Sequence, residues 1–208
     1  MVKCSVNITL SSGKTRKCKG KGGNTINGLH FCAIHMKMKL KTNYIIHKVN
    51  TDGECLFNAI AFGILLNTKK QKPSYKEYKT LAKELRKIAT DVLMEKIETN
   101  DVMFTSAMAA EYRNSTTKSD KDKAMSYVRK MRRACQWGGQ IELIALSDEI
   151  HQRNFKGVQV VNSNMKNVAQ MATNINSSKK GKLLKIRLKN IRNGGSHFDY
   201  VSKKNQFK

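Results

Sequence analysis

The sequence predicts an α+β fold in which several helices pack around a small, mainly antiparallel sheet. Three observations predict it. Residues 55–66 form an almost wholly apolar run of helix length, apolar side chains recur at helical spacing over residues 78–97, and apolar and polar residues alternate over residues 184–201. With 208 residues, the chain is long enough for one domain of ordinary size and too short for two large ones.

The start of the chain predicts a small basic module. Apolar residues that alternate with polar ones, followed by a turn signal, indicate a hairpin: Cys4, Val6, Ile8 and Leu10, then Ser11-Ser12-Gly13. The glycine-rich residues 19–28 predict irregular chain, and residues 31–35 predict a knuckle that runs into a short helix. Because Tyr44-Ile45-Ile46 and Val49 predict a strand that enters a larger unit, we expect a module at 1–42 and a catalytic domain at 43–208.

The middle of the chain predicts helices. The apolar run at 55–66 follows the turn signal Thr51-Asp52-Gly53, which indicates a buried central helix with Asp52 near its N-cap. Ser74 and Glu77 predict a capping box that opens a long helix. Shorter amphipathic helices are expected at three places: residues 103–112, residues 124–131, and residues 141–150 after Trp137-Gly138-Gly139.

The last third of the chain predicts strands. Val158, Val160 and Val161 indicate a buried strand, and residues 162–182 indicate a polar connection with a short helix around Val168. Residues 184–191 and 197–201 alternate on either side of Asn193-Gly194-Gly195, so the chain is expected to end in an antiparallel hairpin.

Positive charge is concentrated at both ends of the chain. Residues 1–51 hold ten lysines and arginines and no acid, and residues 150–208 hold thirteen against Asp199 alone, within a formal net charge of +25. Such clusters favour salt-dependent, non-specific binding of nucleic acid or another polyanion. The alternative is that the charge serves solubility alone. The basic stretches lack the aromatic residues of base-stacking surfaces, which argues against sequence-specific recognition.

The sequence offers no apolar run long enough to span a bilayer and no secretory signal, so we expect no membrane partner and no secretion. Five cysteines, an odd number, favour thiol chemistry or metal binding in a reducing compartment over a disulfide framework. A cytoplasmic location is therefore expected.

Three residues predict nucleophilic chemistry. Cys55 lies at the start of the central helix, where the helix dipole and unpaired backbone N–H groups stabilise a thiolate. The tight loop at 52–54 directs amides towards the position of an oxyanion, with Gly53 permitting that backbone shape. His197 and Asp199, two apart on a strand, share one face and suit the roles of base and orienting acid. A buried cysteine and a strand histidine are often purely structural, so spacing alone leaves both interpretations open.

These residues resemble the motifs of the ovarian tumour (OTU) superfamily of cysteine deubiquitinases. The matching segments are Thr51-Asp52-Gly53-Glu54-Cys55-Leu56-Phe57-Asn58-Ala59-Ile60, then Trp137-Gly138-Gly139-x-x-Glu142-Leu143-x-Ala145-Leu146-Ser147, and Gly195-Ser196-His197-Phe198-Asp199-Tyr200-Val201. The resemblance implies a papain-like fold, with Cys55 as nucleophile, His197 as base, Asp199 as orienting acid and Asp52 as support for the oxyanion loop. It also implies substrate contacts in the same segments: Gly53, Glu54, Trp137, Gly138, Gly139 and Ser196.

One position departs from the family motif, since Glu54 stands where Asn is usual. We expect Glu54 to point outward, either as a solvated bystander or as a partner for arginines near the ubiquitin C-terminus. Trp137 either lines the channel for a Gly-Gly tail or anchors the core. Cys135 is interpreted as a packed thiol and not as a second nucleophile.

Cys4, Cys18, Cys32 and His35 form the ligand set of a tetrahedral zinc site, although only Cys32-x-x-His35 has knuckle spacing. We expect a structural zinc because a module this small, with little apolar core, needs a metal ion or another cross-link to be stable. The alternative is a basic arm with unpaired cysteines. The module resembles small Cys/His-bearing basic units of large DNA viruses, which implies a viral protein, acting in the host cytoplasm or packaged in the virion.

The resemblance implies a thiol hydrolase that cleaves the peptide or isopeptide bond after the Gly-Gly of ubiquitin, polyubiquitin or a ubiquitin-like modifier, without a cofactor for catalysis. The alternative function is a basic nucleic-acid-binding or virion-associated protein with an inactive OTU-like scaffold.

Overall fold

The computed structural model describes residues 3, 5, 7–9, 15–21, 24–26, 29–31, 34, 43–112, 119–162, 165, 167–172, 181–190 and 196–204. These residues fall into two compact units, one within Met1–Ile45 and Lys203–Gln206, the other within Ile46–Ser202. The candidate site lies wholly in the second unit. None of the helices described has an apolar stretch that would cross a bilayer.

The first unit contains two antiparallel hairpins. Strands β1 (Asn7–Thr9) and β2 (Thr15–Lys17) pair, as do β3 (Asn24–Ile26) and β4 (Leu29–Phe31). The predicted first hairpin is confirmed, whereas residues 24–26, expected to be irregular, form a strand. Cys4, Val6, Leu10, the turn at 11–13 and the knuckle residues Cys32, Ala33 and His35 lie outside the described residues.

Six helices are described in the second unit: α1 (Cys55–Lys69), α2 (Tyr75–Glu98), α3 (Val102–Glu111), α4 (Asp120–Met131), α5 (Gln140–Ala145) and α6 (Ser147–Gln152). Helix α2 begins at the predicted capping box, in which the Ser74 hydroxyl accepts from the Glu77 amide and the Glu77 carboxylate accepts from the Ser74 amide. The single helix expected over 141–150 is wrong, because the chain turns at Leu146 and divides it into α5 and α6.

A five-stranded sheet with the order β5-β9-β8-β6-β7 completes the fold. Its strands are β5 (Tyr44–His47), β6 (Phe155–Val161), β7 (Asn167–Ala172), β8 (Lys182–Asn190) and β9 (Ser196–Lys203). Strand β6 runs parallel to β8, while β6–β7 and β8–β9 are antiparallel, so the sheet is mixed. The expected helix around Val168 is wrong, since this residue lies in β7. The turn at 193–195 lies outside the described residues.

Helix α1 is the centre of the core. Eleven of its residues are buried, and it contacts both α2 and β8. Gly63 lies directly against Tyr200 of β9, since a Cβ at residue 63 would stand 2.5 Å from the Tyr200 ring. The sequence therefore folds its most apolar segment between sheet and helices, which fixes the start of α1 relative to β9. The predicted α+β class is confirmed.

Candidate active site

The nucleophile loop, residues 52–54, leads directly into α1, whose first residue is Cys55. Gly53 has φ +76°, and a Cβ there would stand 2.3 Å from the Cys135 carbonyl oxygen. Only glycine meets both demands without strain. Cys55 is 5% exposed and lies in the first turn of α1. The backbone N–H groups of a first turn have no partner within the helix and point out of its N-terminal end.

Asp52 ties this loop together. Its Oδ1 accepts from the Glu54 amide at 3.2 Å and from Asn58 Nδ2 at 3.3 Å, and its Oδ2 pairs with Lys79 Nζ at 2.7 Å. Burial alone would raise the pKa of Asp52, but the ammonium of Lys79 and the Glu54 amide hold it below its ordinary value. The residue at the N-cap is Glu54, and Asp52 lies two positions earlier and supports the loop through hydrogen bonds.

The expectation that Glu54 points outward is wrong. Its residue is only 4% exposed, its carboxylate pairs with Lys79, and its Oε1 lies 3.9 Å from Arg86 Nε. A buried carboxylate is stable only when cations or donors compensate its lost hydration. Two cations on α2 therefore hold Glu54 inside the protein.

The Cys55 thiol is influenced by the strand that carries the predicted base. Burial raises the pKa of this thiol, the backbone N–H groups of Phe198 and Leu56 oppose the rise, and the charge of Asp52 adds to it. Phe198 follows His197 directly in the sequence, so the group that acts on the thiol belongs to the strand of the predicted base. With the pKa raised overall, the thiol needs a proton acceptor before it becomes a nucleophile.

His197 and Asp199 lie on β9 and face each other as strand periodicity predicts. His197 Nε2 lies 3.0 Å from Asp199 Oδ1, and both residues are buried, at 6% and 2% exposure. Within the described part of the chain, no atom pairs with the buried Nδ1 of His197. The carboxylate thus fixes one ring nitrogen and leaves the other available for proton transfer.

Asp199 has two further partners. Its Oδ2 accepts from Arg187 Nη2 at 2.5 Å, and its Oδ1 accepts from the Val49 amide at 3.4 Å. Arg187 lies directly opposite Asp199 in the register of β8 and β9. These contacts orient the carboxylate towards the imidazole.

Sequence reasoning missed four residues around the site: Lys79, Arg86, Arg187 and Val49. A signal existed for Arg187, because pairing the predicted hairpin places a cation across from Asp199. For Lys79 and Arg86 the only signal was their spacing of seven, which puts them on one face of a helix.

The Trp137-Gly138-Gly139 segment lies beside the start of α1 and opens on a groove. A Cβ at Gly138 would stand 2.8 Å from Leu56, and the groove, of about 780 Å³, is lined by Trp137, Gly139 and Tyr127 among others. Trp137 is 51% exposed, so the core-anchor alternative is wrong. The buried Glu142 shapes this segment by accepting from the Gly139 amide and the Tyr127 hydroxyl, both at 2.6 Å.

Three further predictions have mixed outcomes. Cys135 is exposed and has φ +64°, so its interpretation as a packed thiol is wrong. Ser196 is half-buried at the start of β9, one residue before His197.

Of the four predicted zinc ligands, only Cys18 is described; it is half-buried, and its sulfur accepts from the Gly20 amide at 3.3 Å. Cys4, Cys32 and His35 lie outside the described residues, and zinc binding stays a prediction.

The chain matches the model of one protein family and is similar to a curated protein. The family model described as OTU-like cysteine protease matches residues 50–198. The chain is 31% identical over 115 residues to ovarian tumor domain-containing deubiquitinating enzyme 4 of Arabidopsis thaliana, a match that covers 55% of this chain and 31% of that protein. The chain therefore spans about a third of the length of this curated relative.

Two solved structures are similar to the chain. The viral OTU domain protease from Farallon virus has 16% identity and a TM-score of 0.48, over 80% of this chain and 88% of that one. An OTU domain in complex with ubiquitin has 25% identity and a TM-score of 0.44, over 77% and 70%. Because the family model spans the nucleophile loop, the Trp-Gly-Gly segment and the start of the histidine strand, the chain belongs to the OTU-like cysteine protease family.

Proposed function

We propose that the protein is a deubiquitinase that hydrolyses the peptide or isopeptide bond after the C-terminal Gly-Gly of ubiquitin or polyubiquitin. In this proposal Cys55 is the nucleophile, His197 the general base and then acid, and Asp199 the residue that orients the imidazole. Asp52 is a positioning residue, because it holds the loop whose amides receive the oxyanion.

One observation carries the proposal: a buried imidazole has one nitrogen fixed by a carboxylate and the other without a partner in the described ranges, on the strand whose Phe198 amide lowers the pKa of the Cys55 thiol. A buried nitrogen without a hydrogen bond costs free energy, roughly 1–3 kcal/mol. Such a cost is typical of a group that is kept ready for substrate or for a proton.

The chemistry follows from these positions. His197 takes the thiol proton of Cys55, and the thiolate attacks the carbonyl carbon of the Gly-Gly end. The amides of the nucleophile loop and the N-terminal turn of α1 stabilise the negative oxygen. The imidazolium then gives its proton to the leaving amine, which departs and leaves a thioester. Water, deprotonated by His197, attacks the thioester, releases ubiquitin and regenerates the thiol.

The test is to incubate the protein with ubiquitin that carries a C-terminal thiol-reactive electrophile and to record the intact mass. We expect an increase of one ubiquitin in the wild type and in the control Cys135→Ser, which removes an exposed thiol, but not in Cys55→Ser. A folded wild type that forms no adduct would contradict the proposal. An adduct only with a probe based on a ubiquitin-like modifier would overturn the choice of ubiquitin as substrate.

A further inference from the structure

Helix α2 presents two cations to the nucleophile loop. Lys79 and Arg86 are seven residues apart and so lie on one face of the helix. Lys79 Nζ lies 2.7 Å from Asp52 Oδ2 and also donates to Glu54. One ammonium group therefore joins the two carboxylates on either side of Gly53.

Arg86 extends the network to a second segment. Its Nη1 donates to the Met131 carbonyl at 2.9 Å and its Nη2 to the Gln136 carbonyl at 2.8 Å, while its guanidinium stacks 4.5 Å from the centre of the Phe57 ring. The carbonyl of Cys135, in the same segment, is the group against which Gly53 packs. The face of α2 that holds the nucleophile loop thus also holds the chain against which the loop rests.

We propose that Lys79 is a positioning residue that holds the nucleophile loop, through Asp52 and Glu54, in the shape needed for attack by Cys55; this inference rests on the proposed function. The departure from the family motif at Glu54 supports it. A carboxylate that is 4% exposed needs a cation, and Lys79 supplies one while binding the loop at a second point.

A second consequence is electrostatic. The charge of Asp52 raises the pKa of the Cys55 thiol, and Lys79 partly offsets that charge. Loss of the ammonium would leave Asp52 with a stronger negative field at the sulfur, and ionisation of Cys55 would require higher pH. From the strand side, His197 faces the same region, with Asp199 and Arg187 behind it.

The experiment compares Lys79→Met with Lys83→Met, an exposed lysine one turn further along α2. Two rates are measured: hydrolysis of a fluorogenic ubiquitin substrate, and alkylation of Cys55 by iodoacetamide across pH, followed by peptide mapping. For Lys79→Met we expect kcat to fall about 10- to 100-fold with KM within about twofold, because misplacement of reacting groups costs rate more than binding. The midpoint of Cys55 alkylation should rise by about one pH unit. Lys83→Met should behave as the wild type.

A second variant keeps the inference open to refutation if Lys79→Met does not fold. Glu54→Gln/Lys79→Met removes the buried charge that would be left unpaired, but Asp52 still lacks its partner, so the raised alkylation midpoint should persist. A wild-type midpoint and kcat in either folded variant, or equal losses in Lys83→Met, would overturn the inference. Because alkylation needs no ubiquitin, a wild type that forms no ubiquitin adduct would contradict the proposed function alone.

Discussion

At the strand end of the site, one carboxylate serves one imidazole and one cation. Asp199 accepts from His197 and pairs with Arg187, and all three residues lie on the adjacent strands β8 and β9. At the helix end, two carboxylates of the nucleophile loop, Asp52 and Glu54, pair with two cations of α2. The register of one strand pair fixes the first cluster. The second depends on contacts between segments distant in sequence, so we expect it to be more easily disturbed.

The largest expected effect breaks the helix end. Gly53→Ala introduces a Cβ 2.3 Å from the Cys135 carbonyl oxygen at a residue with φ +76°. The loop must move, and we expect a loss of about 2–4 kcal/mol in the free energy of unfolding together with loss of ubiquitin hydrolysis. Chemical denaturation measures the first effect and a fluorogenic substrate the second.

The control for this unfolding measurement is Gly139→Ala. At Gly139 the nearest atom to an added Cβ is 4.0 Å away and φ is −139°. Gly139→Ala should change the free energy of unfolding by less than about 1 kcal/mol. Equal stability of the two alanine variants would contradict the tight fit described for the nucleophile loop.

The next effect breaks the strand end. Arg187→Met leaves Asp199 Oδ2 without its cation, so the carboxylate that orients His197 loses one of its fixed contacts. We expect kcat to fall about tenfold, because a misplaced base costs rate.

Arg187→Lys, which keeps the charge, should retain most of the activity, and Lys182→Met at the exposed start of β8 should match the wild type. A wild-type kcat in Arg187→Met would show that the arginine does not act on the acid that orients His197.

The smallest effect lies outside both clusters and sharpens the contrast between buried and exposed ion pairs. Glu77 pairs with Lys69 on the surface, and hydrogen bonds from that lysine and from the amide and hydroxyl of Ser74 together lower the pKa of Glu77 from 4.5 to about 2. A lowered carboxyl pKa contributes stability above the ordinary value that is lost as pH falls from 4.5 towards 2.

Glu77→Gln retains a side-chain oxygen for the capping box, so it should unfold close to the wild type at neutral pH. The remaining difference should shrink as pH falls through that range and as salt is added. A thermal melt across pH measures it. A large, salt-independent loss would contradict the view that this pair is a screened surface contact.

Local patterns predicted the strand end well. The spacing of His197 and Asp199 and the alternation of residues 184–201 together specify a strand pair with both side chains on one face, and the structure has this pairing. The capping box at Ser74 and Glu77 is equally local, and it was predicted for the same reason.

The helix end could not be predicted in full because its partners are distant in sequence. The Glu54 side chain is polar and sits in a turn, so local reasoning placed it in solvent, whereas Lys79 and Arg86 bury it. The same limit applies to residues 162–182, which were expected to be a polar connection with a short helix around Val168, whereas the segment that contains Val168 pairs with β6 as strand β7.

The central claim is that His197, held by Asp199, ionises a thiol whose burial would otherwise keep it protonated. The most direct measurement is the pH dependence of Cys55 alkylation in the wild type and in His197→Ala. We expect the midpoint to be lower in the wild type than in the variant, where burial raises the pKa of the thiol and no imidazole accepts its proton. Equal midpoints in the two folded proteins would contradict it.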